Sequence, residues 1–185
     1  MLMREARDSA ARMASMIDNL LLYSRSESHR MLRKPVDLNE VVKIVLWNLQ
    51  EDIRKIEGAV DCRDLPTVEG DRLQLERVIQ NLVSNALKFC GKNKPQVTIG
   101  TTPSEKGWAT LCVRDNGVGI SADELASIFE PFKRLGQLPD VQGAGLGLAI
   151  CRRIIEKHRG RIWAESKEGQ GTRIFVRLPN GDSRS

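Results

Sequence analysis

The 185-residue sequence has few aromatic residues and no long apolar run. Aromatic side chains make up 4% of it, so a core has to be built mainly from aliphatic side chains. The apolar window at 41–49 is interrupted by Lys43 and Asn48 and is far shorter than the roughly 20 residues that a spanning helix needs. The first residues are rich in charge where a signal peptide has its apolar region. We therefore expect no transmembrane segment, no membrane contact from this chain and a cytoplasmic location.

Paired cysteines and dense basic runs are also missing. The cysteines are widely separated and lack CxxC spacing, which argues against a zinc site or a disulfide framework and fits a reducing compartment. We expect them to be small apolar core residues. The formal net charge of +5 is spread along the chain, unlike the Lys/Arg clusters of many nucleic-acid binders, so no nucleic-acid partner is expected.

Residues 2–27 contain neither Gly nor Pro and carry a coiled-coil pattern. Small or apolar side chains recur at spacings of four and three, at Ala6, Ala10, Met13, Ile17, Leu20 and Ser24. One helix alone cannot bury such a stripe, so we expect a homodimer through these residues. A polar connector follows and ends at Pro35. These features predict a helix and connector at 1–35, a main domain at 36–180 and a frayed tail at 181–185.

The main domain alternates helix and strand signals. Helices are expected to begin at Asp37, Asp71 and Ser121, because each is followed three residues later by Glu or Gln, as in a capping box. Strand-forming runs lie at 96–100, 108–114, 161–164 and 172–178. We expect an α/β fold, a two-layer sandwich in which a mixed sheet carries helices on one face. The coiled-coil-like helix would precede it.

Three polar side chains share one face of the helix that is predicted to begin at Asp71. Asn81, Asn85 and Lys88 follow one another at i, i+4 and i+7. Asparagine is a poor helix former, so two of them in an apolar helix need polar partners. Amide oxygens beside an ammonium group suit a hydrated Mg²⁺ and the phosphates that it bridges. A solvated polar stripe is the other interpretation of the same pattern.

Two runs that contain glycine follow. DNGVGI, residues 115–120, comes directly after a predicted strand, so the Asp115 carboxylate could accept a hydrogen bond from an exocyclic amine such as that of adenine. The same letters also describe a plain turn. GAGLGLAI, residues 143–150, leads into an apolar helix and would present backbone N–H groups to a phosphate. It is neither a Walker A loop nor a Rossmann fingerprint, and a flexible linker would not lead into an apolar helix.

Together, the order and spacing of these runs resemble the ATP-binding catalytic domain of two-component sensor histidine kinases, in the superfamily that includes gyrase B, Hsp90 and MutL. The resemblance covers about residues 36–179. It implies that Asp115 recognises the adenine amine with the assistance of Thr172, and that Mg²⁺ is bound by Asn85 and Asn81. Lys133 and Arg134 would be catalytic lid cations near the terminal phosphate. The nucleotide-binding residues that it implies are Asn81, Asn85, Lys88, Phe89, Asp115, Gly117, Gly119, Ile120, Phe132, Gly143, Gly145, Leu146, Gly147, Leu148 and Thr172.

The resemblance also implies an activity, which is transfer of the ATP γ-phosphoryl group to a histidine on a dimerisation helix and then to an aspartate of a response regulator. Residues 2–27 resemble the second helix of the dimerisation and phosphoacceptor domain. The first helix of that domain, which carries the acceptor histidine, is not found here. His29 lacks the acidic neighbour of an acceptor histidine, and His158 is expected to be a helix-end residue whose charge favours the helix dipole.

Hydrolysing members of the superfamily resemble one another in placing a water-activating glutamate where this sequence has Asn81. Without such a base we expect slow ATP hydrolysis. Two alternatives remain open. One is a binding module that nucleotide controls without phosphoryl transfer, and the other is a serine-directed kinase of the same superfamily.

Overall fold

The structure, a computed structural model, describes residues 31–91, 93–133 and 145–181. The predicted helix at 2–27, His29, Arg134, Gly143 and the end of the tail lie outside the described residues. The elements, in chain order, are β1 (Lys34–Asp37), α1 (Leu38–Lys55), β2 (Ala59–Cys62), β3 (Thr67–Gly70), α2 (Arg72–Lys88), β4 (Gln96–Thr102), β5 (Trp108–Asp115), α3 (Ala122–Leu125), α4 (Gly147–Lys157), β6 (Arg161–Ser166) and β7 (Thr172–Pro179).

The main sheet has five strands in the order β2-β4-β5-β7-β6. β2 runs parallel to β4, and the other neighbours are antiparallel, so the sheet is mixed, as predicted. β1 and β3 form a separate antiparallel pair. Because β1 begins at Lys34, this strand extends across the boundary expected between residues 35 and 36.

The core lies between one face of the sheet and the three longer helices. α2 packs against α1 and α4 and also contacts β4 and β5, while α4 contacts β6 and β7. Aliphatic side chains fill this layer, as the low aromatic content requires. The most deeply buried of them include Val41, Ile79, Leu82, Ile99 and Ile155. Helices on one face of a mixed sheet form the predicted two-layer sandwich.

Two of the three predicted helix caps have the expected geometry. The carboxylate of Asp37 accepts from the N–H of Asn39, and that of Asp71 accepts from the N–H of Gln74. Ser121 stands before α3, but its hydroxyl donates to the Glu124 carboxylate at 3.0 Å and does not cap the backbone. Local sequence therefore predicts where the helices begin better than it predicts the bonds made there.

The cysteines do not all lie in the core. Cys151 in α4 is buried, and burial raises the pKa of its thiol to about 12. Cys62 is exposed on β2, and Cys90 and Cys112 are half-buried. The expectation of a core position was wrong for Cys62 because β2 is an edge strand of the sheet. All four thiols are free, in agreement with the absence of a disulfide framework.

Two negative findings apply to the described ranges, 31–91, 93–133 and 145–181. No helix in them is long and apolar enough to cross a membrane. They also contain no group of three or more His, Cys, Asp or Glu side chains that could hold a metal ion. A cation at this part of the chain would therefore depend on other oxygen ligands, such as the amides of asparagine.

Candidate functional site

A cleft opens where α2 passes the ends of β5 and β7. Among the described residues, the polar side chains that line it are Asn85, Asp115 and Thr172. A mostly apolar cleft with a few placed polar groups is typical of a small-molecule or cofactor site. The apolar walls are formed by Leu82, Ala86, Phe89, Val113, Val118, Ile120, Leu148 and Ile174.

One carboxylate oxygen of Asp115, at the end of β5, is hydrogen-bonded within the protein. Oδ1 accepts the backbone N–H of Gly117 at 2.8 Å and that of Thr172 at 3.0 Å. Among the described residues nothing donates to Oδ2, so this oxygen is available to a ligand N–H. Burial raises the pKa of Asp115, while the two backbone N–H groups act in the opposite direction. The carboxylate is thus held in a fixed orientation beside the apolar walls.

Close backbone approaches require glycine at three positions of this site. A Cβ on Gly117 would lie 2.3 Å from the carbonyl oxygen of Phe89. One on Gly119 would lie 2.1 Å from the carbonyl oxygen of Lys167, and one on Gly171 would lie 2.1 Å from that of Asp115. Gly119 and Gly171 also have positive φ angles of 72° and 77°. Only glycine combines this conformation with this contact.

Ser166 links the two loops that form the floor of the cleft, although it is not among the residues that the sequence predicted. Its Oγ accepts from the N–H of Ile120 at 2.9 Å and donates to the carbonyl oxygen of Gly171 at 2.8 Å. It also lies 3.0 Å from Thr172 Oγ1. The one signal in the sequence is period-two alternation along β6, which places Ser166 on the same face as buried Ile162.

The two asparagines of α2 face the beginning of α4. A Cβ on Gly147 would lie 3.2 Å from Asn81 Oδ1 and 4.0 Å from Asn85 Nδ2. The Asn81 amide donates to the carbonyl oxygen of Arg77 at 3.1 Å, which leaves its oxygen toward α4. Asn85 lines the cleft, whereas Asn81 does not. Asn85 therefore offers the kind of oxygen ligand that Mg²⁺ accepts, and the donors present fit a hydrated ion.

The first turn of α4 is suited to an anion. Leu146 stands at the N-cap, and its side chain makes no capping hydrogen bond. The first N–H groups of a helix have no partner within the helix and carry the positive end of its dipole. Because Leu148 of the same turn lines the cleft, phosphates attached to a base in the cleft would extend toward these N–H groups.

Several predicted residues lie outside the cleft. Lys88 and Lys133 are exposed, and Phe132 is 65% exposed with a φ of 63°. The N–H of Phe132 donates to the carbonyl oxygen of Gly145 at 2.9 Å, which ties this segment to the turn before α4. The structure therefore does not bring Phe132, Lys88 or Lys133 to the base-binding cleft. Conversely, the lining role of Leu82, Ala86, Val113 and Ile174 was not predicted, since they lie in apolar helix and strand runs that indicated only a core, and Val118 of the DNGVGI run was not singled out.

His158 differs from its predicted role. Its ring is buried, with Nδ1 2.7 Å from the carbonyl oxygen of Ile154 and Nε2 2.9 Å from the backbone N–H of Asp71. An N–H facing Nε2 requires that Nε2 accept, so Nδ1 carries the proton. Burial lowers the pKa of His158, which favours the neutral ring. The expected charge–dipole stabilisation is therefore wrong.

Residues 70–182 match the sequence profile of the family described as histidine kinase-, DNA gyrase B-, and HSP90-like ATPases. The chain belongs to this family. The match includes α2 with its two asparagines, the Asp115 loop and the whole of α4, which are the elements that form the cleft. The predicted family is thereby confirmed.

Similar proteins and solved structures indicate which type of domain within this family the chain resembles. Phytochrome-like protein Cph1 of Synechocystis is 36% identical over 170 residues, which are 92% of this chain and 23% of Cph1. Full-length ShkA in complex with AMPPNP has a TM-score of 0.81 at 25% identity, covering 97% of this chain and 38% of ShkA. Histidine kinase ThkA in complex with response regulator protein TrrA has a TM-score of 0.74 at 28% identity. This match covers 96% of this chain and 50% of the ThkA chain.

These likenesses confirm the α/β sandwich and its type, an ATP-binding domain of a sensor kinase. The chain spans less than a quarter of the length of the first curated relatives, 23%, 22% and 22%. What those longer proteins do as a whole is therefore a separate question from what this domain binds.

Proposed function

We propose that this chain binds ATP with Mg²⁺ and is the catalytic portion of a protein-histidine kinase. In this reaction the γ-phosphoryl group leaves ADP and forms a bond to a ring nitrogen of a histidine on a dimerisation helix, and an aspartate of a response regulator then receives it. The observation that carries the proposal is the single free oxygen of Asp115, held by two backbone N–H groups beside an apolar cleft.

Each element of the site has a task in this function. Asp115 Oδ2 accepts the adenine amine, and the apolar walls enclose the ring. The uncapped first turn of α4 holds the phosphates. Asn85 would hold Mg²⁺, which when bound neutralises phosphate charge. Lys133 and Arg134 would approach the terminal phosphate as lid cations, and Thr172 would support the base through its contact with Asp115.

The site favours transfer to a side chain over hydrolysis. A water molecule needs a base to become a nucleophile. Asn81 stands at the position where the resemblance implies a glutamate in hydrolysing relatives, and its amide cannot take up a proton. His158 is unsuitable as well, because Nε2 already accepts from Asp71. The nucleophile should therefore be a histidine on another helix.

The partners follow from this reaction and from the coiled-coil pattern. The ThkA structure contains a response regulator, which supports a regulator as the final acceptor here. The spacing of apolar residues at 2–27 supports a homodimer. The residues between this helix and the domain at 36–180 would form the connector. A cytoplasmic location fits a partner of this kind.

Nucleotide titration tests the adenine assignment. By calorimetry with Mg²⁺ present, ATP should bind more tightly than GTP, because guanine presents a carbonyl where adenine presents its amine. Asp115→Asn should weaken ATP binding by roughly 1.5–3 kcal/mol, the scale of a hydrogen bond to a charged group. Asp61→Asn, on exposed β2, is the matched control and should change nothing. Equal affinities for ATP and GTP would contradict the role of Asp115.

Phosphoryl transfer is tested with labelled ATP and a supplied acceptor helix from a related kinase, with a quench in base. Label should accumulate on the acceptor helix and not on this chain. Nucleotide binding without transfer to any acceptor would favour the binding-module alternative. Base-stable, acid-labile label on the isolated chain that disappears in His29→Ala would show that the chain contains its own acceptor.

A further inference from the structure

The face of the main sheet that is turned away from the helices carries a set of arginines. Side chains alternate along each strand, so the neighbours of buried Val113, Ile174 and Val176 point to the opposite face. We call the side chains on that face of β5, β6 and β7 the outer arginine face. Its members include Trp108, Arg114, Arg161, Trp163, Glu165, Arg173, Phe175 and Arg177.

Strand register places these arginines directly opposite one another. Arg114 on β5 faces Arg173 on β7, and Arg161 on β6 faces Arg177 on β7. Like charges at directly opposed positions destabilise a sheet. The pairing follows from the sheet order, because β7 lies between β5 and β6.

Among the described residues, only two of these four arginines form ion pairs with carboxylates of the protein. Arg173 lies 3.4 Å from Glu165, and Arg177 lies 3.8 Å from Glu105. Within the described part of the chain, Arg114 and Arg161 have no carboxylate within ion-pair distance. Two guanidinium groups about four residues apart along the strands, roughly 13 Å, therefore lack a carboxylate partner among the described residues.

The aromatic rings of this face are covered by arginine and by each other. Trp163 and Phe175 stack with centroids 5.1 Å apart and planes 9° apart, and Phe175 is only 7% exposed. The Arg161 guanidinium lies 5.7 Å from the centre of Trp163, and that of Arg177 lies 4.8 Å from the centre of Trp108. What the face offers is guanidinium groups rather than ring faces, so bases could not stack on it.

A recess lies at one end of the outer arginine face. Its volume is about 420 Å³, and its charged and amide side chains are Arg114, Glu165, Lys167, Gln170 and Arg173. With Asp115, which also lines it, the recess has three cations and two carboxylates, so its net charge is positive. The recess and the base-binding cleft share Asp115 and Thr172 in their linings, so the two lie on either side of the same strand ends.

We propose that the outer arginine face docks an acidic segment of a partner protein, with carboxylates that pair with Arg114 in the recess and with Arg161. Carboxylates bind guanidinium groups in a bidentate manner. Glu165 and Glu105 among the arginines would repel the uniform charge of a phosphate backbone, whereas a protein segment can place polar residues opposite them. This interaction needs neither nucleotide nor phosphoryl transfer, so it stands apart from the proposed function.

Fluorescence anisotropy with a labelled deca-glutamate peptide tests the proposal on the full chain. The peptide should bind, and added salt should weaken it. In the double variant Arg114→Gln, Arg161→Gln affinity should fall by about tenfold, because both of the guanidinium groups that pair with the peptide are removed. The matched control Arg54→Gln, Arg152→Gln removes two exposed helical arginines and should stay within about twofold.

Two further measurements distinguish the outcomes. The thermal midpoint of the first double variant should be unchanged or higher because like-charge repulsion is removed, and its ATP affinity should be unchanged. Absence of peptide binding, or equal loss in both double variants, would overturn the proposal. Tighter binding of an oligothymidylate or of vesicles with anionic lipid, lost in the first double variant, would overturn it in favour of a phosphate-bearing partner.

Discussion

His158, just after α4, accepts a hydrogen bond from the backbone N–H of Asp71, the N-cap of α2, over 2.9 Å. A Cβ on Gly70 would lie 2.9 Å from the His158 ring, so the strand before α2 also packs against it. At their other ends the same two helices present Asn85 and Gly147 beside the cleft. This one imidazole thus joins the distant ends of the helices that carry the nucleotide site.

The connector that precedes β1 also contacts Asp71 and the end of α4. The N–H of Leu32 donates to Asp71 Oδ2 at 3.3 Å, and Arg33 Nη2 donates to the carbonyl oxygen of Lys157 at 2.7 Å. The connector is therefore bound to the N-cap of α2 and to the end of α4 through two hydrogen bonds, one from Leu32 and one from Arg33.

Removal of the His158 ring should destabilise the domain. His158→Ala leaves a cavity and an unpaired N–H at Asp71, so the free energy of unfolding should fall by about 2–4 kcal/mol in urea denaturation. The free energy of unfolding of this variant should also depend less on pH. Because burial lowers the folded pKa of His158, the unfolded chain binds a proton that the folded chain does not once the pH falls below about 6.5.

Stability contributed by neutral His158 is therefore present above about pH 6.5 and is lost as the pH falls below it. In this pH range, His158→Gln should reduce the slope of the unfolding free energy against pH by the equivalent of up to one bound proton. His29→Gln, which removes the other histidine, should leave the profile as it is. The same slope in both variants would show that His158 titrates normally in the folded state.

Ser166→Ala should impair the cleft without touching its walls. The change leaves the N–H of Ile120 and the carbonyl oxygen of Gly171 without their partner, at a cost of about 1–3 kcal/mol of stability. Because Thr172 orients Asp115, we also expect weaker ATP binding in calorimetry. Ser104→Ala is the matched control, since it breaks a 2.9 Å contact with Thr110 away from the site. Equal ATP affinity in both variants would contradict this role.

Gly147→Ala should separate stability from nucleotide binding. The new methyl group would meet Asn81 Oδ1 at 3.2 Å, so the Asn81 amide must shift by a few tenths of an ångström beside Asn85, and the affinity for ATP with Mg²⁺ should fall several-fold. Stability should change by no more than about 1 kcal/mol, since alanine is the better helix former. In Gly100→Ala the nearest atom would be 3.8 Å away, and ATP affinity should be unchanged. A Gly147→Ala variant with normal affinity would show that this contact is not needed.

Local sequence determined the longer helices and four of the five strands of the main sheet, but it did not locate β1, β2 or β3. The apolar positions of α2 recur at helical spacing, and Leu75, Ile79, Leu82 and Val83 among them are all buried. The four predicted strands of the main sheet agree with the observed ones to within two residues at their ends. Hydrophobic periodicity and N-cap chemistry act over a few residues, so they can be recognised without knowledge of the fold.

Tertiary structure decided which of these elements meet. Ser166 contacts Ile120 across 46 residues of chain, and His158 contacts Asp71 across 87. The opposed arginines Arg114 and Arg173 exist only because β7 lies beside β5, and the exposure of Cys62 follows from the edge position of β2. Sheet order and register are set by how the whole core packs, so no local pattern in the sequence contains them.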